Sequence, residues 1–543
     1  MIYIPHLVLW PGPVLAALAF SVAAPAQAVL RSFPLQNVFD WVAVIGDLDA
    51  DGVRDVAILR NVSRTIDLYS GRSGAQLHQL VQPAGVVVRE MNWLGDVDGD
   101  GRDDFVVNEL RFNGSTWDSF QVVRSGATAM VIHQLTTPAY LPSAMDDING
   151  DGRAEIAISD FSYSSGTCYE LGRMDVVDGA TLQVLRSHVG AYCGQGLAGG
   201  RVLLGDVDGD GFRDYLTADI GQSAVNRQFR VFSGATGSLL TSLPKLSYTY
   251  GDIFSDIGDF NADGFDDVVV ADNGNPPYFP TFRKTQVLAG PLLTQILWEH
   301  TMPSGPAAPA FTEPAGVVGD LDGDGHTDIQ LIGGNQVGDA SVVLSGRDQS
   351  TLWTQLLTDP QQLAWPGMPS PGDVDGDGFV DLSVRYFGTP RALRFVSGAP
   401  PGVTSLGSAC TDQTGEQPRI GVGVGARLGK TMTVNLSHAN PALLAAVLGL
   451  GQSSTSWAGT PLPLDLTVLG LPGCSWYVSG DVALTLPTVG VNGTRHHATY
   501  PIVVPQATTL LGLDVFAQWL VLEAGPAGLT GAVTCALRTR VVP

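Results

Sequence analysis

The sequence predicts an all-β chain, a seven-bladed β-propeller followed by a β-sandwich domain. Three observations carry that expectation. An acidic nonapeptide, D-x-[DN]-x-D-G-x-x-[DE], occurs seven times, beginning at Asp47, Asp96, Asp147, Asp206, Asp259, Asp320 and Asp373, at intervals of 49, 51, 59, 53, 61 and 53 residues. A run of strand-forming residues ending in a small residue and Gly follows each copy, at Gly71, Gly126, Gly179, Gly234, Gly290, Gly346 and Gly398. Beyond residue 404 both signals stop, and alternating runs rich in Leu, Val, Thr, Pro and Gly take over. A period of this size marks stacked supersecondary units.

One unit therefore reads strand, acidic loop, strand, variable loop, strand, Gly turn, strand. That is a four-stranded antiparallel sheet, and sheets that cannot cover their own faces pack radially as blades. The fourth strands are expected at Gln76–Leu80, Met130–Leu135, Gln183–His188, Leu239–Leu243, Gln295–His300 and Thr351–Leu357. In the seventh unit Gly398 is followed by Ala399-Pro400-Pro401-Gly402, a poor strand. The unassigned segment Val29–Val38 is expected to supply the missing outer strand and close the ring, which removes an exposed edge.

Each acidic loop has the chemistry of a calcium site. Calcium takes roughly six to eight oxygens. Positions 1, 3 and 5 are Asp47, Asp49 and Asp51; Asp96, Asp98 and Asp100; Asp147, Asn149 and Asp151; Asp206, Asp208 and Asp210; Asp259, Asn261 and Asp263; Asp320, Asp322 and Asp324; Asp373, Asp375 and Asp377. Gly at position 6 permits the sharp bend. Position 7 would offer only its carbonyl, so its side chain varies: Val53, Arg102, Arg153, Phe212, Phe265, His326 and Phe379. Position 9 would close the shell with Asp55, Asp104, Glu155, Asp214, Asp267, Asp328 and Asp381. An EF-hand would need Glu at position 12, where Ile58, Val107, Ile158, Thr217, Val270, Leu331 and Val384 stand, and helices where strand-type runs stand. The bland alternative is seven acidic turns without a metal, but clustered carboxylates repel and need neutralising. Asp103, Asp146 and Asp266 fall off the ligand register and are read as solvated or supporting charges.

This repeat resembles the FG-GAP/VCBS family, found in integrin α-chain propellers and in many secreted bacterial proteins. Gly205-Asp206-Val207-Asp208-Gly209-Asp210-Gly211-Phe212-Arg213-Asp214 carries the likeness, which spans roughly residues 40–400. The resemblance implies a calcium-binding propeller; it leaves the partner open, since the family includes adhesion proteins, lectins and non-catalytic parts of enzymes. The C-terminal pattern Leu462-Pro463-Leu464-Asp465, Gly470-Leu471-Pro472-Gly473-Cys474 and Gln518-Trp519-Leu520-Val521 looks like an uncharacterised C-terminal module of secreted bacterial proteins.

Composition fits. The 543 residues exceed one ordinary domain, charged residues are 15% and Gly numbers 66, which suits short strands and tight turns. The net charge is −24, and 26 of the 53 acidic residues occupy ligand positions. Seven Ca²⁺ would bring the charge to about −10, so the acidity belongs to the loops and argues against nucleic-acid binding. Val14–Ala24 and Ala26-Gln27-Ala28 read as a signal peptide, 1–28, cleaved after Ala28. The mature chain is expected to divide into the propeller, 29–404, and the sandwich, 405–543, and to be secreted, periplasmic or at the cell surface, with no membrane span. Export permits disulfides, and Cys168–Cys193 and Cys410–Cys474 are expected, leaving Cys535; other pairings stay open. Within the sandwich, Thr431–Leu436, Leu464–Leu469 and Trp476–Val478 are expected strands, and Asn440–Leu450 a short helix or loop.

Catalytic signatures are missing: the sequence has no H-E-x-x-H, G-x-S-x-G or C-x-x-C. His496-His497 is read as structural or surface. Trp41, Trp93, Trp117, Trp298, Trp353 and Trp365 are read as packing between blades rather than as a sugar platform, and the long loop Asp160–Gly172 as a binding surface. The expected function is a non-catalytic, monomeric binding or adhesion module for an extracellular protein or glycan, with about seven structural Ca²⁺. A carbohydrate-binding lectin, or the scaffold of a polysaccharide-active enzyme, is the alternative.

Overall fold

The computed structural model describes residues 28–542 except 37–39, 136–141, 198, 220–227, 245–252, 262, 272–283, 302–309, 335–339, 357–369, 387–390, 401, 424, 489–495 and 526–527. The expected leader lies outside the described residues except for Ala28, and so does Trp365.

The chain is all-β with propeller-like blade sheets. The first sheet orders Trp41–Val44, Val56–Arg60, Thr65–Tyr69 and Gln76–Val81 in sequence, all antiparallel. Five further four-stranded sheets repeat that order, beginning at Val86, Ser143, Gly199, Ile253 and Ala310. In all six, the pairing of third and fourth strands slips by one residue next to the hairpin, as at Leu68/Tyr69 and Val231/Phe232. Such a bulge bends the strand and strengthens its twist. The second strands lie between neighbouring sheets, so they read as continuous apolar runs: all five residues of Val56–Arg60 are buried.

A seventh sheet joins the segment before the first repeat to the last repeat. Val29–Pro34 pairs antiparallel with Ala392–Val396, which pairs with Leu382–Tyr386. Among the described residues, only a bridge between Gly372 and Asp381 stands where an innermost strand would run. Phe33 of the added strand packs edge-on against Phe395, with ring centroids 5.2 Å apart. Each pair of consecutive sheets shares an apolar cluster, from Leu68 with Phe105 between the first two to Val343 with Leu382 between the last two. A further cluster, with Phe33, Ile58 and Phe395, couples the seventh sheet to the first.

The C-terminal region begins to pair at Val403. One sheet orders Val403–Leu406, Ala536–Arg540, Asp514–Gly525, Leu443–Gly451 and Val482–Leu486, with Gly528–Val533 also on Asp514–Gly525. A second holds Arg419–Gly423, Thr431–Ala439 and His496–Val503. Val422, Val434 and Leu436 of the second share one core with Leu448, Trp519 and Leu537 of the first. Three sequence expectations fail here, and one is Trp476–Val478, which is strand only at Trp476, paired with Leu464. The run Asn440–Leu450 is neither helix nor loop: Leu443–Gly451 is a strand paired on both sides, with Ala446 and Leu448 buried and Leu444 exposed. Leu464–Leu469 is mostly a 3₁₀ turn, because Asp465 caps the Thr467 N–H and Gly470 ends it at φ 83°.

The disulfides are Cys168–Cys193 and Cys410–Cys474, as expected, and Cys535 is free. Two disulfides fit an oxidising, extracellular environment. Among the described residues no helix is long and apolar enough to cross a membrane.

Candidate metal centres

Each acidic loop folds by hydrogen-bonding its own backbone, and loop four shows how. Asp206 Oδ1 accepts the Gly209 and Asp210 N–H groups at 2.7 and 2.9 Å, and its Oδ2 accepts that of Gly211 at 2.8 Å. Asp210 Oδ1 accepts the Phe212 N–H at 3.0 Å. That last bond, from position 7 to position 5, recurs in all seven loops at 2.9–3.0 Å. Gly211 at position 6 has φ 92°, as the sharp bend requires, and Gly209 at position 4 has φ 76°. Position 4 also demands the left-handed region, a requirement the sequence reading missed. In loop one it is met by Ala50 at φ 59°.

Position 9 does more than close a shell. Asp214 is fully buried; its Oδ2 accepts the Val207 N–H and its Oδ1 the Gly234 N–H, both at 2.8 Å. The same pair of bonds ties Asp55, Asp104, Asp267, Asp328 and Asp381 to their hairpins. The hairpin Gly is also explained. A Cβ at Gly71, Gly126, Gly179, Gly234, Gly290, Gly346 or Gly398 would stand 1.9–2.6 Å from the position-8 carbonyl oxygen of its loop. These glycines permit a close approach; the left-handed turn residue lies three positions later, at Gly74 or Gln349 for example. The small residue before the Gly takes part as well, since Ser233 Oγ donates to Asp210 Oδ2 at 2.9 Å.

Five groups of carboxylates gather closely enough to share one ion, with ligand oxygens within 4.8 Å of one another. They are Asp47, Asp49 and Asp55; Asp96, Asp98 and Asp104; Asp206, Asp208 and Asp210; Asp320, Asp322 and Asp328; Asp373, Asp375 and Asp381. The loops at Asp147 and Asp259 follow the same course but carry an amide at position 3: Asn149 Nδ2 donates to Asp178 and Asn261 Nδ2 to Asp263. All these donors are oxygens, which suits a hard cation. Buried oxygens of Asp49 (Oδ1) and Glu155 (Oε1) have no hydrogen-bond partner among the described residues, so a cation at these loops would answer an unmet need.

Electrostatics point the same way. Burial pushes Asp55 up to about 8, and Asp104, Glu155, Asp214 and Asp381 up to about 7, with neighbouring carboxylates adding to the shift. Asp267 and Asp377 rise to about 6 for the same reasons. Desolvated carboxylates facing one another disfavour the charged state unless a cation neutralises them.

Of the two readings of the off-register acids, solvated or supporting, the structure shows the supporting one. Asp103 Oδ2 accepts the Asp47 N–H at 3.0 Å, reaching from loop two to loop one. Asp266 Oδ2 accepts the Asp206 N–H at 2.7 Å, reaching from loop five to loop four. Asp146 Oδ2 accepts the Arg213 N–H at 3.3 Å. These acids staple neighbouring loops together, so one loop's shape depends on the next.

Trp298 and Trp353 are buried between sheets, and Trp41 and Trp93 pack partly buried there. Trp117 departs from that pattern: it is 50% exposed and packs on Phe112, equally exposed, with centroids 5.3 Å apart. It borders a pocket of about 340 Å³ with Asn61, Arg64, Gln82 and Val87. Arg64 is held there by the Pro83 and Val86 carbonyls at 2.7 and 2.8 Å. The long loop Asp160–Gly172 is tied by the Cys168–Cys193 disulfide and presents Tyr169, 74% exposed, near that link.

No family model matches the chain, and no curated protein does. Among solved structures it is similar to the Cps50 (Swd1) β-propeller domain of Myceliophteria thermophila, with 10% identity, TM-score 0.40, and coverage of 68% of this chain and 99% of that one. It is also similar to BBS1N in a complex with ARL6DN soaked with lead, with 10% identity, TM-score 0.38, and coverage of 69% and 94%. The Dos1 propeller follows at 9% identity, TM-score 0.36, and coverage of 63% and 74%.

Proposed function

We propose that the chain is an exported, calcium-stiffened propeller of the FG-GAP/VCBS type, closed by seven blades, that serves as a non-catalytic binding or adhesion module for an extracellular protein or glycan. The observation that carries this reading is the recurrence of gathered carboxylates in one loop geometry, with a buried Asp49 oxygen left unpaired. Calcium, when bound, would neutralise the gathered carboxylates. The protein's own groups set the loop: position 1 collects three N–H groups, and position 9 anchors the hairpin. Calorimetric titration of the chelator-stripped chain with CaCl₂ tests it. Binding at several sites with a rise in melting temperature is expected, and no binding heat would overturn it. A pull-down from extracellular material, with and without calcium, identifies the partner.

Trp117 favours a second reading, a carbohydrate-binding surface. An exposed indole beside an amide, a guanidinium and no carboxylate suits the face of a pyranose ring. Glycan binding lost in Trp117→Ala, with the melting temperature unchanged, would support it; glycan binding unaffected by that substitution would exclude this pocket.

A further inference from the structure

Loops six and seven differ from the others in what lies upon them. Strand Arg419–Gly423 of the C-terminal region crosses loop six backbone to backbone. A Cβ on Gly421 would stand 2.2 Å from the Asp322 carbonyl oxygen and 2.5 Å from Gly323 Cα, and one on Gly323 would stand 2.6 Å from Gly421 Cα. Only paired glycines permit that approach. Asn435, fully buried, donates its Nδ2 to the same Asp322 oxygen at 2.7 Å. The His497 ring lies where a side chain on Gly325 would begin, 3.0 Å from that Cβ position. Arg347, in the sixth hairpin, donates to Thr499 Oγ1 at 3.3 Å. From loop seven, Phe379 enters the C-terminal core itself.

This cover changes the loop's surroundings. Asp322 and Asp324 are 7% and 4% exposed, whereas Asp210 in loop four is open to solvent. Carboxylates pressed together beneath another domain repel in a low dielectric, and an unpaired buried charge is strongly unfavourable. A positive charge held inside loop six would relieve that repulsion as the C-terminal strands close over it.

We propose that loop six is a cation-dependent latch: a divalent cation held by Asp320, Asp322 and Asp328 fixes the C-terminal module on the propeller, and its removal releases the module while the blade sheets stay assembled. The proposal rests on the calcium reading of the loops. Docking and cation binding then strengthen each other by the same factor, as linkage requires.

The test uses the full chain, with calcium and after chelation. Hydrogen exchange over residues 419–423, the small-angle scattering radius and calcium calorimetry are measured together. Chelation is expected to speed exchange there about tenfold or more and to enlarge the radius, while the inner strands of sheets one to four stay protected. Asp324→Asn should do the same at a calcium concentration where Asp100→Asn, in loop two, does not. Should Asp324→Asn fail to fold, Gly421→Ala, which drives a methyl into the Asp322 oxygen, should free the module at saturating calcium. Unchanged exchange and radius with calcium demonstrably leaving would overturn the latch and spare the calcium reading. Equal opening by the loop-two and loop-six variants would also overturn it. Absence of any binding heat would remove both.

Discussion

Loop four lies at the surface with Asp210 and Gly211 exposed, while loop six lies beneath Gly421, Asn435 and His497. Their backbone hydrogen bonds are nearly superimposable in kind: position 1 accepts from positions 5 and 6, and position 9 accepts from position 2 and the hairpin Gly. Their carboxylates are not alike. In loop six burial and mutual repulsion push Asp320 to about 7 and Asp322 to about 8, and carry Asp328 well above the usual range. One loop design thus serves in two environments, and on the proposed reading the more buried loop would depend more strongly on a cation.

The comparison can be broken by chelation, the largest expected effect. At calcium ten times its Kd, each site adds about 1.4 kcal/mol, so the five gathered sites together add roughly 7 kcal/mol. EGTA should lower the melting temperature markedly in scanning calorimetry, and cation exchange should be slowest at the covered sites. An unchanged melting temperature would end the structural role of the metal.

Next comes the anchoring carboxylate. Asp214→Ala strands two buried N–H groups, so it should cost about 3 kcal/mol in urea unfolding even without calcium. Asp208→Ala, which lacks that anchoring role, should cost far less once calcium is removed. Equal losses would show that position 9 acts only as a ligand.

The pH response sharpens the contrast between loops. Carboxylates whose native pKa is raised contribute stability that is whole below the unfolded value near 4 and is lost as pH rises through the native values, here about 6 to 8. Metal-free protein should therefore melt at a lower temperature at pH 8 than at pH 5, and calcium should remove the difference. Asp322→Asn should relieve metal-free protein at pH 8 by on the order of 1–3 kcal/mol. Relief no greater than that given by Asp208→Asn would mean that cover has no electrostatic consequence.

The smallest effect concerns a hairpin. Gln349, exposed beside loop six, holds φ 61°, and Gln349→Gly should raise stability by about 1 kcal/mol. The corresponding hairpin of loop four already has Gly237 there, so it offers no such gain.

Much of this was legible from the order of residues because the repeat is rigid. A carboxylate every second position followed by Gly can turn in few ways, and the period locates the fourth strand of six sheets to within a residue or so. The sewing strand Val29–Pro34 was found by counting a deficit in the seventh unit. The C-terminal region lacks a repeat, so its apolar run at 443–451 could not be told from a helix until both flanking strands were in place. For Asp103 and Asp266 the sequence leaves two readings open, and the structure selects the supporting one: their partners, the Asp47 and Asp206 N–H groups, lie in neighbouring loops some 60 residues away. Burial of loop six was likewise hidden, since it depends on Gly421 and Asn435, remote in sequence.

The pairing of Val29–Pro34 with Ala392–Val396 sets a schedule for biogenesis. At about 5–20 residues per second, the first strand to emerge waits roughly 20–70 s for its mate. Until then the nascent chain presents one unpaired strand at each end of a growing arc, and a neighbouring nascent chain could donate either. Exchange of that single strand between two molecules is accordingly the misassembly to look for when the protein is made at high concentration.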